Sequence, residues 1–149
     1  MENNNILKAK IRIGLWGLVL VAMILISFYG DVINTWGDNS KKTILLFVLF
    51  VAFVGDVILN AISRKKSNDE VTIDEKINRK ANYTSSIITI LYVIVYVIII
   101  YSRYEIEGFI PVVFFWMLAY SVIAVLNFSS SILTIFYFSK LENKHNERL

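Results

Sequence analysis

The sequence predicts an all-α integral membrane protein, one domain over 1–149 whose four transmembrane helices form two hairpins, and three observations carry that prediction. Hydrophobic residues make up 56% of the 149 and charged residues 18%, against roughly 45–50% and 25% in soluble domains, and mean hydropathy is +0.61. Four apolar stretches reach the roughly 20 residues that a helix needs to cross about 30 Å of hydrocarbon. Lys and Arg gather in alternate connections, as they do where basic residues are kept on the cytoplasmic side. A transmembrane β-barrel would need apolar and polar residues alternating in pieces of about 10. Residues 44–54 are apolar throughout, so the barrel is rejected.

The first span is predicted over 11–29. Lys8, Lys10 and Arg12 precede an apolar run in the manner of a secretory signal, but that run ends in Ser27-Phe28-Tyr29-Gly30-Asp31 without a small-x-small cleavage pattern, so it reads as an uncleaved helix. The second span, 43–63, contains Asp56, the one acidic side chain well inside a predicted span. The third, 84–102, is rich in Ile and Val, which are mediocre helix formers in water, yet lipid forces every backbone hydrogen bond to close within the segment. Two overlapping capping signals precede it, Ser67 with Glu70 and Thr72 with Glu75, followed by Ile73, Ile77 and Ala81 at a spacing of four. That pattern predicts a helical stalk starting near Thr72 and running unbroken into span three. The fourth span, 109–138, is about 45 Å long at 1.5 Å per residue, with Pro111 in its first turn, where a missing amide hydrogen is harmless. Such a helix must tilt strongly or project past the lipid.

Of the 15 Lys and Arg, 12 lie in the N-terminal segment, the connection after span two and the C-terminal tail. Only Lys41, Lys42 and Arg103 lie in the other two connections. Both termini and the stalk are therefore expected in the cytoplasm, and the location is a multi-pass cell membrane. Trp16, Tyr83 and Tyr137 are expected as interface anchors on the inner side, and Tyr29, Trp36, Tyr101 and Tyr104 on the outer.

Cysteine is absent and there is one histidine, which removes disulfides, thiolate nucleophiles, Cys/His zinc sites and most Ser-His chemistry. No P-loop, paired-glycine fingerprint, HExxH or nucleophile elbow occurs, so no catalytic, cofactor or metal residue is expected. The sequence pI of about 9.1 follows from membrane orientation, and nucleic acid is not an expected partner.

Asp56 is the conspicuous residue, since an ionisable group inside a span costs roughly 2.5 to 3.5 kcal/mol on insertion scales. Asn60 shares its face one turn on, and Gly55 beside it lets another helix approach closely. Counting from the predicted inner ends, Leu91, Tyr92, Ser130 and Ser131 reach the depth of Asp56 and no Lys or Arg does. The hydroxyls of Tyr92, Ser130 and Ser131 are its expected partners. One reading makes Asp56 a fixer of helix register. The other makes it a proton or cation site in a small transporter or channel, with Asn60, Asn127 and Ser129 to Ser131 lining a polar path.

The cytoplasmic segment Asp69-Glu70-Val71-Thr72-Ile73-Asp74-Glu75-Lys76-Ile77-Asn78-Arg79-Lys80-Ala81, between two pairs of apolar helices, resembles a family of small uncharacterised prokaryotic four-span membrane proteins. Members of that family look like two transmembrane pairs joined by a segment of the form D-E-R-x-x-x-I-x-x-K-A. Ile77, Lys80 and Ala81 match its second half, whereas Asp69-Glu70 lies two residues early and Asp74-Glu75 three late. The resemblance implies a protein of unknown activity encoded near small helix-turn-helix regulators, which would suit a membrane-bound signalling or regulatory partner. A non-enzymatic protein acting through protein–protein interaction, as regulator, immunity factor or accessory subunit, is thus the leading expectation. Its partners would be the bilayer and a membrane or cytoplasmic protein or a second copy of the chain. Ile73, Ile77, Arg79, Lys80 and Ala81 are the candidate interaction surface.

Overall fold

The Ile- and Val-rich segments close their backbone hydrogen bonds as helices. The computed structural model describes residues 4–29, 39–64 and 71–146, and among these there are four helices and no strand. We label them α1 (Asn4–Tyr29), α2 (Asn39–Arg64), α3 (Val71–Tyr104) and α4 (Val112–Asn146). Glu75–Tyr104 of α3 and Val112–Leu141 of α4 are each long and apolar enough to cross a membrane, and Leu46–Leu59 of α2 is a shorter apolar stretch.

The predicted continuity of stalk and third span is present, because α3 runs without a break through 34 residues, about 51 Å. It ends at a turn over 105–108, where the amides of Glu107 and Gly108 donate to the Tyr104 carbonyl at 3.1 and 3.2 Å. Gly108 adopts a φ of 72°, a left-handed conformation that favours a residue without Cβ. Pro111 falls immediately before the first helical residue of α4, and its carbonyl accepts the Phe114 amide at 3.1 Å. Helix α4 continues to Asn146, eight residues beyond the predicted end of span four.

Extensive packing joins α1 to α4, α4 to α3, and α1 to α2, so the described helices form a row in the order α2, α1, α4, α3. Each predicted hairpin is therefore a packed pair among the described residues, and the two pairs join through α1 and α4. Small residues set the spacing. A Cβ at Gly55 of α2 would meet Leu15 of α1 at 3.1 Å, and one at Gly17 of α1 would meet Phe128 of α4 at 3.2 Å.

The buried core contains Trp16, Val19 and Met23 of α1, Ala52 of α2 and Val113, Phe114, Met117 and Ala124 of α4, with Tyr104 of α3 against Phe114. Two expected interface anchors are thus core residues. Trp16 is 2% exposed and Tyr104 8%, because each ring fills a seam between helices. Tyr83 and Tyr101 stay exposed as expected. From Ile87 to Ile99 of α3, every Ile, Leu and Val except Val93 is exposed, which leaves a long apolar face uncovered within the chain.

Candidate functional site

Asp56 meets a cation rather than a serine. The Arg12 guanidinium grips its carboxylate side-on, with Nε donating to Oδ1 and Nη2 donating to Oδ2 at 2.8 Å. The second hydrogen of Nη2 reaches Asn127 Oδ1 at 3.1 Å, and Asn127 Nδ2 in turn donates to the Ile123 carbonyl at 2.9 Å. Three helices, α1, α2 and α4, are thereby tied through one guanidinium. The Arg12 and Asp56 side chains are 21% and 13% exposed, so the pair is screened from water and such fork-on-carboxylate contacts are among the stronger hydrogen bonds.

The depth count that excluded Lys and Arg is therefore corrected. With span one starting at Ile11, Arg12 falls one residue from the predicted inner end, whereas Asp56 falls seven from its own at Ser63. The contact between Leu15 and Gly55 sets the register of α1 against α2, and this brings Arg12 beside Asp56. A signal for it was in the sequence: Ala9, Arg12, Trp16, Val19 and Met23 recur at spacings of three and four, and Ala9, Trp16, Val19 and Met23 are all buried. Arg12 occupies one place of that inward stripe. The Trp16 indole N–H, one turn further on, is buried and has no hydrogen-bond partner among the described residues.

The remaining expected residues separate. Asn127 joins Asp56 as the polar-path reading required, but Ser130 Oγ donates to Asn82 Oδ1 at 2.5 Å and Ser131 Oγ to the Asn127 carbonyl at 2.8 Å, so neither serine bonds Asp56. Tyr92 donates to Ser121 Oγ at 2.7 Å instead. Asn60 lies within α2 and Ile73 within α3, and their side chains lie outside the described residues.

A second polar array, not anticipated from the sequence, runs along the seam of α3 and α4. Ser85 Oγ donates to the Leu126 carbonyl at 2.7 Å and lies 2.6 Å from Ser129 Oγ; Thr84 and Tyr137 hydroxyls are 3.2 Å apart; Tyr96 donates to the Phe114 carbonyl at 3.0 Å. The signal was the spacing of Ala81, Ser85, Thr89, Tyr92 and Tyr96, small or hydroxylated residues in steps of four, four, three and four. Small residues let the backbones approach and hydroxyls then bond across, as between helices in lipid.

Within the stalk, Ile77 and Ala81 face inward, 7% and 0% exposed. Lys76, Arg79 and Lys80 face outward, with Arg79 paired to Glu75 at 3.0 Å and Lys80 Nζ 5.0 Å from the Tyr137 ring centre. The candidate interaction set is thus split between a packing face and an exposed charged face. No group of three or more metal-ligating side chains occurs among the described residues. No family model matches the chain, and no curated protein or solved structure matches it.

Proposed function

We propose that the chain is a non-enzymatic, four-span membrane protein with cytoplasmic termini that acts through protein–protein interaction, and that the outer face of the α3 stalk is its working surface. The observation that carries this reading is the division of the stalk: Ile77 and Ala81 are buried while Glu75, Lys76, Arg79 and Lys80 remain exposed. A helix braced on one side presents its charged side without further ordering, so association there loses less conformational entropy than with a free segment. Among the described residues the exposed face carries three cations, Lys76, Arg79 and Lys80, against the acid Glu75, which suits an acidic patch on a regulatory or accessory partner. Exposed Ile, Leu and Val along α1, α2 and α3 support embedding of all four helices in lipid.

The alternative, a proton- or cation-linked transporter, would have to use an Asp56 that is paired with Arg12. Both carboxylate oxygens of Asp56 accept hydrogen bonds from Arg12, which occupies the position a transported cation would need. The arrangement suits a register-fixing clamp.

The test is photo-crosslinking in intact cells from a reactive side chain placed at Lys76 or Arg79. A discrete protein adduct from either position, lost on reversing the charge of the other to Glu at unchanged thermal stability, is the expected result. Adducts absent from both positions would sink the proposal.

A further inference from the structure

Cross-helix contacts fix which residues of the row stand level with one another. Arg12 of α1 donates to Asp56 of α2 at 2.8 Å and to Asn127 of α4 at 3.1 Å. Two residues on from Asn127, about 3 Å along the axis, Ser129 Oγ lies 2.6 Å from Ser85 Oγ of α3. The contact between Leu15 and Gly55 keeps α1 and α2 in the same register. One polar layer therefore crosses all four helices, through Arg12, Asp56, Ser129 and Ser85.

From that layer to the helix ends away from the stalk, the lengths agree. Ser85 to Tyr104 is 20 residues, about 30 Å, and Val112 to Ser129 is 18, about 27 Å. Arg12 to Tyr29 and Asn39 to Asp56 are 18 each within the described residues. These lengths match the roughly 30 Å of hydrocarbon in a bilayer. Beyond the layer in that direction the four helices carry no charged residue except Lys41 and Lys42 at the start of α2 and Arg103 in the last turn of α3.

A surface drawn at Phe138, where the apolar run of α4 ends, fits less well. It would ask Val112 to Phe138, 27 residues and about 40 Å, to lie within the hydrocarbon. Asn82, level with Ser130 through a 2.5 Å hydrogen bond, would then stand about 12 Å inside, and the exposed Lys80 about 9 Å. Cations in hydrocarbon are costly, roughly 2.5 to 3.5 kcal/mol at mid-span.

We infer that the membrane surface on the stalk side lies at the level of Arg12, Asp56, Ser85 and Ser129. Span four then ends near Ser129, and residues 131–146 of α4 stand outside the hydrocarbon beside the stalk of α3. The projecting stalk is thus two helices wide, with Phe136 and Leu141 exposed on the second helix. The inference rests on the reading of the chain as a four-span membrane protein, and holds whichever side is cytoplasmic.

The experiment uses the full chain in native membranes opened so that a charged maleimide reaches both faces. The chain has no cysteine, so single thiols are read without background, and a thiol in hydrocarbon neither ionises nor meets the reagent. Phe136→Cys on α4 and Lys80→Cys on α3 are expected to label as fast as Leu141→Cys. They should label about tenfold faster than Ile123→Cys and Ile90→Cys, which are exposed on the same two helices beyond the layer. Each helix has its own pair, so if one variant fails to fold the other helix decides. Labelling at Phe136 and Lys80 as slow as at Ile123, with Leu141 fast, would move the surface to Phe138 and overturn the inference while leaving four spans in place. Fast labelling at Ile123 and Ile90 as well would overturn the four-span reading itself.

Discussion

Arg12 is a cation that holds two side chains at once, Asp56 of α2 and Asn127 of α4. A buried ion pair of this kind is a weak source of net stability, because desolvating both charges offsets most of their attraction. Removing one member is a different matter, since the remaining charge keeps its desolvation cost and loses the bidentate contact that offsets it. Arg12→Leu is therefore expected to lower stability by about 3 to 5 kcal/mol. Arg12→Leu combined with Asp56→Leu should recover most of that loss, because two apolar groups then replace the pair. Reversible unfolding in mixed micelles, followed by circular dichroism, measures both. A double variant no more stable than the single one would show that the clamp holds the helices by something other than charge pairing. Asp56 was legible as the polar residue in need of a partner. Its partner was not, because Arg12 stands next to Lys8 and Lys10 and reads with them as a flanking cluster unless the stripe through Ala9, Trp16 and Val19 is weighed first.

The element with the most divided character is α3. Over its first turns it stands on α4 by a narrow seam, and from Ile87 onward it turns most of its side chains outward. The brace depends on few residues, so single changes there should be felt. Ile77→Ser removes a side chain that is 7% exposed and puts a hydroxyl in its place. Truncating a buried Ile to a small residue costs roughly 2 to 5 kcal/mol. Arg79→Ala, by contrast, breaks an exposed pair with Glu75 that contributes only about 0.2 to 0.5 kcal/mol. Thermal melts of the purified protein should thus separate the two substitutions clearly, and equal melting temperatures would show that the stalk is not braced through Ile77. The spacing of Ile77 and Ala81 made the stripe itself legible, and with it the continuous helix. Which surface would cover the stripe was open, since a narrow stripe of three residues, Ile73, Ile77 and Ala81, fits a neighbouring helix of the same chain as well as a partner.

At the scale of the whole molecule, hydropathy made the number of helices and their approximate bounds readable, because each apolar run must close its own hydrogen bonds wherever it sits. The order α2, α1, α4, α3 was not readable. In segments that are apolar on every side, an Ile that packs and an Ile that faces outward are the same letter, and α4 is apolar nearly all round. The polar residues break that degeneracy, and both seams that carry cross-helix hydrogen bonds, around Arg12 and around Ser85, carry the order. Orientation rests on a separate argument. Taking Arg12 out of the set of surface cations leaves 11 of the remaining 14 Lys and Arg on the predicted inner side, so the bias survives the correction. The chain contains no cysteine, and Lys76 in the stalk and Glu107 in the turn after α3 are both exposed. Lys76→Cys and Glu107→Cys should therefore report the two ends of α3 without background. An impermeant maleimide is expected to label the Glu107 site in intact cells and the Lys76 site only after permeabilisation. The reverse pattern would invert the orientation, and labelling of both sites in intact cells would mean that α3 lies on one side of the membrane instead of crossing it.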